Sequence, residues 1–312
     1  MLLQRLTGNP LLAGTMAALL LILPLAQIYL LFPLQFIVPL PIYLVALRFG
    51  IRAGALASGV PILFCFGILG QLAVPLILTF LVMIWFPLLA AWLTQGGWRP
   101  IQVLGGGYFL ALLLLVLFLI GSILTGNDLM VAVHSQLMES KAAILAAMTT
   151  GQNPADAQHI VEMGGELDEA FRLFSLLFPA MFLLSWYSIQ VGNFLLVRYL
   201  LKRWQMPLIA PQELSTLRIP FVLIWPLIVT AMLGFFTTGS LAQFGLNLLL
   251  FLAIPYFFQG YSVVEKGFEH YKVAVFIRGV FYIILMAWTG LIVAITVLGL
   301  FDTWMDFRKR LG

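Results

Sequence analysis

Charged residues are scarce in this chain of 312 residues. Asp, Glu, Lys and Arg together make up 9% of it, whereas hydrophobic residues make up 62%. Soluble domains contain about 25% charged and about 45 to 50% apolar residues, so this chain lacks the polar side chains that a water-facing surface needs. This scarcity excludes a soluble globular enzyme. The composition therefore predicts a protein embedded in a lipid bilayer.

Cysteine and histidine, two common metal ligands, are also scarce. The single cysteine, Cys65, cannot form an internal disulfide. The three histidines, His134, His159 and His270, lack the close spacing of a metal site. The sequence has no Walker A loop, no H-E-x-x-H pair and no G-x-S-x-G turn. We therefore predict no metal and no cofactor, and we expect the chain not to be an enzyme.

Acidic residues are absent from residues 1–124, whose only charges are Arg5, Arg48, Arg52 and Arg99. That part of the chain therefore cannot form a carboxylate proton relay or an acidic metal site by itself. Residues 125–172 are the reverse, since seven acids and two bases lie there. The bases of the whole chain lie at the ends of apolar segments rather than in one patch. The net charge of +4 therefore indicates no nucleic-acid partner.

Long apolar runs predict an all-α, polytopic membrane protein. A helix needs about 20 apolar residues to cross a hydrocarbon core of about 30 Å. Nine segments approach that length, and the second of them is short and interrupted by prolines. They are 10–30, 31–47, 53–72, 74–94, 101–124, 173–196, 219–236, 241–261 and 273–300. We expect eight or nine transmembrane helices in a single membrane domain, residues 1–312.

The positions of the basic residues predict the orientation of these segments. Arginines and lysines collect in alternate connections, which the positive-inside rule assigns to the cytoplasm. The N-terminus is then cytoplasmic and residues 125–172 are external. Nine crossings would place Arg308, Lys309 and Arg310 outside, against the rule. We therefore suspect that either the proline-broken second segment or the last one, which could bend near 288–290, does not cross.

Residues 125–172 are predicted to form an external amphipathic helical hairpin. Its first helix has an apolar stripe, formed by Met130, Val133, Leu137, Ile144 and Met148. Asn153 and Pro154 favour the start of a second helix, and Gly164 with Gly165 favours its end. Two interpretations stay open. The hairpin is either a lid over an external cavity or a connector that rests on lipid and neighbouring helices.

Uncharged polar side chains within apolar segments are the best candidates for a substrate site, because each costs free energy in lipid unless it finds a partner. Amides offer donors and acceptors without burying a charge, and an aromatic face adds apolar contact. We predict a site for a small organic solute between the sixth and eighth segments. Its residues are Trp186, Gln190, Asn193, Gln243 and Asn247. The alternative is that these side chains form hydrogen bonds that hold neighbouring helices together.

Small residues on the first segment predict a close helix contact. Ala13 with Ala17 and Gly14 with Ala18 form two overlapping small-x-x-x-small pairs. Such a face lets another helix approach closely. We consider these four residues a candidate partner-binding face, with packing inside the fold as an equal alternative.

Two stretches resemble a known family. They are the N-terminal pattern 38-VPLPIYL-44 with 48-RFGIRAG-54, and the ending 298-LGLFDTWMDFR-308. Both are similar to the YybS-like family of bacterial membrane proteins, domain of unknown function 2232. That family has no established activity and is distantly similar to the substrate-binding S components of energy-coupling factor vitamin transporters. In those proteins a small-residue motif like Ala13-x-x-x-Ala17 contacts the scaffold subunit. This chain departs from them in having more spans and a longer external insertion.

The resemblance implies a location in the bacterial cytoplasmic membrane. It also implies an S-component-like subunit that binds or translocates a small solute, with transporter scaffold or ATPase subunits as partners besides the lipid bilayer. Since the chain has no Walker loop, active transport would need such a partner or an ion gradient. The alternative is a non-catalytic membrane scaffold for cell-envelope proteins, which would act through its Gly and Ala faces.

Overall fold

The computed structural model describes residues 9–23, 29–70, 74–125, 129–149, 154–204 and 221–310. Regular structure in this part of the chain is helical throughout, and it contains no β-strand. The prediction of an all-α fold is therefore confirmed. Helices suit an apolar chain of this kind because each one satisfies its backbone hydrogen bonds within its own segment.

The first half of the chain forms five α-helices and a 3₁₀ segment. The helices are α1 (Pro10–Ile22), α2 (Pro39–Phe49), α3 (Ile51–Leu69), α4 (Val74–Gln95) and α5 (Pro100–Thr125), and the 3₁₀ segment is Tyr29–Ile37. Asn9 caps α1 by accepting a hydrogen bond from the Leu11 amide at 2.9 Å. Gly50 separates α2 from α3 with a φ of 95°, which a glycine adopts without steric cost.

The second half contains longer helices. They are α6 (Leu129–Thr149), α7 (Pro154–Arg203), α8 (Ile224–Phe236), α9 (Gly239–His270), α10 (Val275–Ala287), α11 (Thr289–Met305) and the short α12 (Phe307–Arg310). A single 3₁₀ turn, Phe221–Leu223, precedes α8.

Four of the described helices are long and apolar enough to cross a membrane. They are α3, α5, α9 and the part Leu167–Arg203 of α7. The pair α10 and α11 would make a fifth span if its two bent halves were one crossing. Shorter apolar helices account for other expected segments: Pro10–Ile22, Pro33–Phe49, Phe80–Gln95 and Phe221–Phe236. A polytopic membrane protein is thereby supported, while the number of eight or nine crossings stays a prediction.

The chain divides into two compact units, and each is described by itself. Unit 1 comprises Met1–Ala111 and Leu184–Leu214, and unit 2 comprises Leu112–Leu183 and Ser215–Gly312. In unit 1, α1, α2, α3 and α4 surround a core that includes Ala17, Ile42, Cys65 and Phe80. That the whole chain is one membrane domain stays a prediction.

Unit 2 is organised around α9, which packs against α8 and α11. α8 and α9 approach closely at Gly234 and Gly245, and α9 and α11 do so at Gly260 and Gly299. At the last crossing a Cβ on Gly299 would overlap the carbonyl oxygen of Tyr256. Glycine is therefore required there, since any larger residue would push the two helix backbones apart.

The expected end of a helix at Gly164 and Gly165 is wrong. α7 runs without interruption from Pro154 to Arg203, so the second helix of the expected hairpin and the sixth apolar segment are one helix of 50 residues. Glycine inside a helix costs about 1 kcal/mol relative to alanine. That cost does not end a helix whose neighbouring residues favour it.

Side chains nevertheless join α6 to the first part of α7 within unit 2. The Lys141 ammonium lies 2.5 Å from an Asp168 carboxylate oxygen, and His134 Nδ1 lies 3.3 Å from the Ser175 hydroxyl. Residue 134 contacts residue 175 and residue 141 contacts residue 168, so the residue numbers increase along α6 where they decrease along α7. These contacts therefore indicate antiparallel neighbours, as a hairpin requires. Val133 and Leu137 of the apolar stripe are half-buried; the side chains of Met130, Ile144 and Met148 lie outside the described set.

The bend suspected in the last segment is present. α10 ends at Ala287, Trp288 is extended, and α11 begins at Thr289 after a bend of 106°. Two polar contacts show that α10 runs antiparallel to the end of α9. Arg278 donates to the Phe268 carbonyl at 3.0 Å, and Tyr282 donates to Glu265 farther back along α9. The irregularity expected in the proline-rich second segment also appears, as the 3₁₀ segment with Pro33 inside it.

Candidate functional site

The five predicted substrate-site residues belong to two different units. Trp186, Gln190 and Asn193 lie on the part of α7 that belongs to unit 1, and Gln243 and Asn247 lie on α9 in unit 2. Each unit is therefore considered by its own contacts, and those contacts are chiefly hydrogen bonds to backbone carbonyls.

Gln190 is fully buried and bonds to a carbonyl that a proline leaves without its helical donor. Its side-chain nitrogen donates to the Met83 carbonyl at 2.8 Å, and its side-chain oxygen accepts from the Tyr43 hydroxyl at 3.2 Å. In α4 the donor to Met83 would be residue 87, which is proline and has no N–H. Gln190 therefore replaces the missing helical hydrogen bond. Sequence reasoning missed Tyr43 as its partner.

Trp186, which lies on α7 like Gln190, also packs against α4. Its indole N–H donates to the Val82 carbonyl at 2.9 Å, one residue before Met83. Its ring stacks on Trp85 with a centroid distance of 5.0 Å and an interplanar angle of 14°, and Phe86 packs edge-on against it at 6.1 Å. The tryptophan thus satisfies its polar atom and covers the part of α4 that precedes Pro87.

Asn193 bonds to another proline-containing segment. Its side-chain nitrogen donates to the Phe36 carbonyl at 2.7 Å and to the Ile189 carbonyl at 2.8 Å. Phe36 lies in the 3₁₀ segment, where the next donor along the chain would be residue 39, again a proline. The side-chain oxygen Oδ1 is buried and has no hydrogen-bond partner among the described residues. It is an acceptor that a ligand could use.

Asn247 bonds to two backbone groups of α7 beside Pro179, within unit 2. Its side-chain oxygen accepts from the Ala180 amide at 3.0 Å, and its nitrogen donates to the Leu176 carbonyl at 2.8 Å. These are the two groups that an uninterrupted helix would pair with each other, and Pro179 lies beside them. Gln243 is half-buried, and its side chain forms no hydrogen bond in the described part of the chain.

The three buried amides therefore share one structural role. Gln190, Asn193 and Asn247 each satisfy backbone groups beside a proline in a neighbouring segment of their own unit. This favours the alternative of hydrogen bonds between helices for Gln190 and Asn247, whose amide oxygens and nitrogens all have partners. Asn193 keeps one open acceptor in addition.

The small-residue face of α1 is used inside unit 1. Ala13, Ala17 and Ala18 are buried, and a Cβ on Gly14 would lie 2.5 Å from the Ala57 carbonyl oxygen of α3. This is the internal packing that the sequence left as an alternative. A partner helix would reach this face only by displacing α3.

A buried polar group at the crossing of α9 and α11 was missed as a site. Asp302 is 3% exposed, and one of its carboxylate oxygens accepts a hydrogen bond from Gln259 at 3.0 Å. The Gln259 side-chain oxygen and the Tyr256 hydroxyl are buried and have no hydrogen-bond partner among the described residues. Tyr256 and Gln259 are one helical turn apart. The signal in the sequence was an acid inside the apolar run 289–305.

The pair of His134 and Ser175 resembles a nucleophile and base but has the wrong hydrogen-bond direction. The Ser175 hydroxyl donates to the Phe171 carbonyl at 2.7 Å, so its proton points away from His134. The imidazole is then the donor to the serine oxygen. The arrangement joins α6 to α7 and does not activate the serine.

Comparison with known protein families gives a match over most of the chain. The model of a family described as "Predicted membrane protein (DUF2232)" matches residues 12–303 of this chain. No curated protein and no solved structure matches it.

Proposed function

Because the chain belongs to the DUF2232 family of predicted membrane proteins, we propose that it is a membrane subunit that binds or translocates a small organic solute without its own ATPase. The observation that carries this proposal is the buried Asp302, with its Gln259 partner, on α11, which is the second half of the bent helix pair. An ionisable side chain inside a membrane helix is costly and is retained chiefly for function. Broken helices at membrane depth are typical of transporter binding sites.

Unit 1 supplies a second candidate contact. Asn193 Oδ1 is a buried acceptor beside the irregular 3₁₀ segment, and its own nitrogen is held by two carbonyls. A solute that offers an N–H or O–H donor would satisfy this atom at little cost, because the side chain is already oriented. We assign Gln190 and Asn247 to positioning and keep Asn193 as the ligand contact of the predicted set.

We further propose eight crossings rather than nine, with α10 and α11 forming a re-entrant pair. Helices of 13 and 17 residues with a bend of 106° reach only about 27 Å from end to end. This is less than the hydrocarbon core of about 30 Å. Eight crossings leave the C-terminus on the cytoplasmic side, so Arg308, Lys309 and Arg310 then obey the positive-inside rule.

Reporter fusions after Gly312 test this topology. We expect a fluorescent protein fused there to be bright and alkaline phosphatase fused there to be inactive, since the former matures in the cytoplasm and the latter outside it. Fusions at Asn153 should give the opposite pair of results and serve as the external control. An active phosphatase after Gly312 would mean that the last segment crosses.

Replacing Asp302 with asparagine tests the proposed function. Asparagine keeps the shape and can still accept from Gln259, but it removes the charge. We expect the purified wild type to retain a small molecule, seen by mass spectrometry of the extracted protein, and Asp302→Asn to retain at least about 10-fold less.

Asp306→Asn is the matched control. Asp306 lies one turn later, in a left-handed conformation that asparagine also adopts, and pairs with Lys309. It should retain the molecule like the wild type. Equal retention by all three proteins, or none by any, contradicts the proposal.

Co-purification separates transport from the scaffold alternative. An ATPase module or transporter scaffold recovered with the chain supports a transport subunit. Recovery of cell-envelope assembly proteins alone supports a non-catalytic scaffold.

A further inference from the structure

A carboxylate near the end of α9 has no cationic partner in the part of the chain that the structure describes. Glu265 is half-buried and lies beside two tyrosines: it accepts a hydrogen bond from the Tyr282 hydroxyl, and the Tyr261 side chain interacts with both residues. Among the described residues Glu265 forms no ion pair. An ionised carboxylate has about four lone-pair sites, so the hydroxyl donor Tyr282 leaves acceptor capacity open.

The surroundings of Glu265 suit an ammonium group. The rings of Tyr261 and Tyr282 lie 6.3 Å apart, and Phe257 lies 6.5 Å from Tyr261. Aromatic faces attract cations, most strongly where water is scarce. Arg278, the nearest arginine on α10, does not fill this role because its guanidinium donates to the Val273 and Phe268 carbonyls at 3.0 Å.

The position of Glu265 along α9 indicates where the ammonium comes from. α9 has 32 residues, about 12 more than a span needs, so its ends extend into the headgroup region. Glu265 lies five residues before the last one, His270, and its side chain is partly exposed. Lys272, at the turn between α9 and α10, and Arg278, in the first turn of α10, add positive charge that complements a phosphate.

We propose that Glu265, Tyr261 and Tyr282 form a binding site for the primary ammonium headgroup of a zwitterionic phospholipid. A primary ammonium donates N–H hydrogen bonds to the carboxylate, which a quaternary ammonium cannot do. This site is separate from the solute contacts proposed above and does not depend on them.

Thermal unfolding of the full chain in nanodiscs tests the site. Discs contain either phosphatidylethanolamine in phosphatidylcholine or phosphatidylcholine alone. We expect the wild type to unfold several degrees higher with phosphatidylethanolamine. Glu265→Gln keeps an acceptor for Tyr282 but removes the charge, and should lose this difference. Glu269→Gln, an exposed acid one turn later, should keep it.

The comparison of the wild type in the two kinds of disc tests the proposal even if Glu265→Gln fails to fold. Equal unfolding temperatures in the two lipids overturn the proposal, as does a difference that survives in Glu265→Gln. Soluble ethanolamine added to phosphatidylcholine discs should produce no shift. A shift there would make the ligand a free amine rather than a lipid and would also overturn the assignment.

Discussion

Replacing Gly299 with alanine should destabilise unit 2 by at least about 2 to 3 kcal/mol, although only one methyl group is added. The new Cβ would overlap the Tyr256 carbonyl oxygen and lie 2.5 Å from the Gly260 nitrogen, both on the backbone of α9. Backbone atoms cannot move aside as a flexible side chain can. The two helices would therefore separate, and the contacts around Tyr256 and Leu300 would loosen.

Gly267→Ala on α9 is the control with the opposite sign. A Cβ at Gly267 meets no atom of the described residues within 4 Å, so the substitution should stabilise the helix by about 0.5 to 1 kcal/mol through propensity alone. Unfolding temperatures of both variants, measured in detergent beside the wild type, provide the test. If the two variants shift in the same direction, the close approach of α9 and α11 is not as described.

Replacing Gln190 with leucine should cost about 2 to 4 kcal/mol, because the Met83 carbonyl is left buried without a donor. Tyr43 keeps only its weaker bond to the Gln190 backbone carbonyl, at 3.3 Å. Pro87→Ala restores an N–H that can reach Met83 along α4. In that background Gln190→Leu should cost about 1 to 2 kcal/mol less.

Pro61→Ala is the matched control, since Pro61 also lies inside a helix but four residues after Ala57 rather than Met83. The changes in the free energy of unfolding caused by Pro61→Ala and by Gln190→Leu should be additive. The double-mutant cycles are measured by unfolding of the purified protein. Equal coupling of Gln190 to both prolines would mean that the amide does not replace the bond missing at Pro87. A folded Gln190→Leu variant of wild-type stability would exclude the positioning role altogether.

The membrane class and the helices followed from composition and from runs of apolar residues. These are local properties: a backbone in lipid must satisfy its own hydrogen bonds, so an apolar run becomes a helix whatever it packs against. Pro33 and Trp288 also marked irregular backbone correctly, because the loss of an N–H or a break in helical pattern is written in the residues themselves. The prediction that a helix ends at Gly164 and Gly165 was wrong because the low helix propensity of two glycines is outweighed by the residues on both sides, which favour a helix.

The partners of the buried polar groups were decided only by tertiary structure. The prolines at 39, 87 and 179 indicate that nearby backbone carbonyls lack their helical donors. The side chains that donate to these carbonyls are Asn193, Gln190 and Asn247, which lie up to 157 residues away from them along the chain. The sequence therefore shows which polar side chains will need hydrogen-bond partners. The packing of the helices determines whether those partners are backbone groups or whether an atom is left available for a ligand. Asn193 Oδ1 and the side-chain oxygen of Gln259, whose nitrogen donates to Asp302, stand out for function for this reason. The described residues around these two oxygens provide only part of the hydrogen bonding that their burial requires.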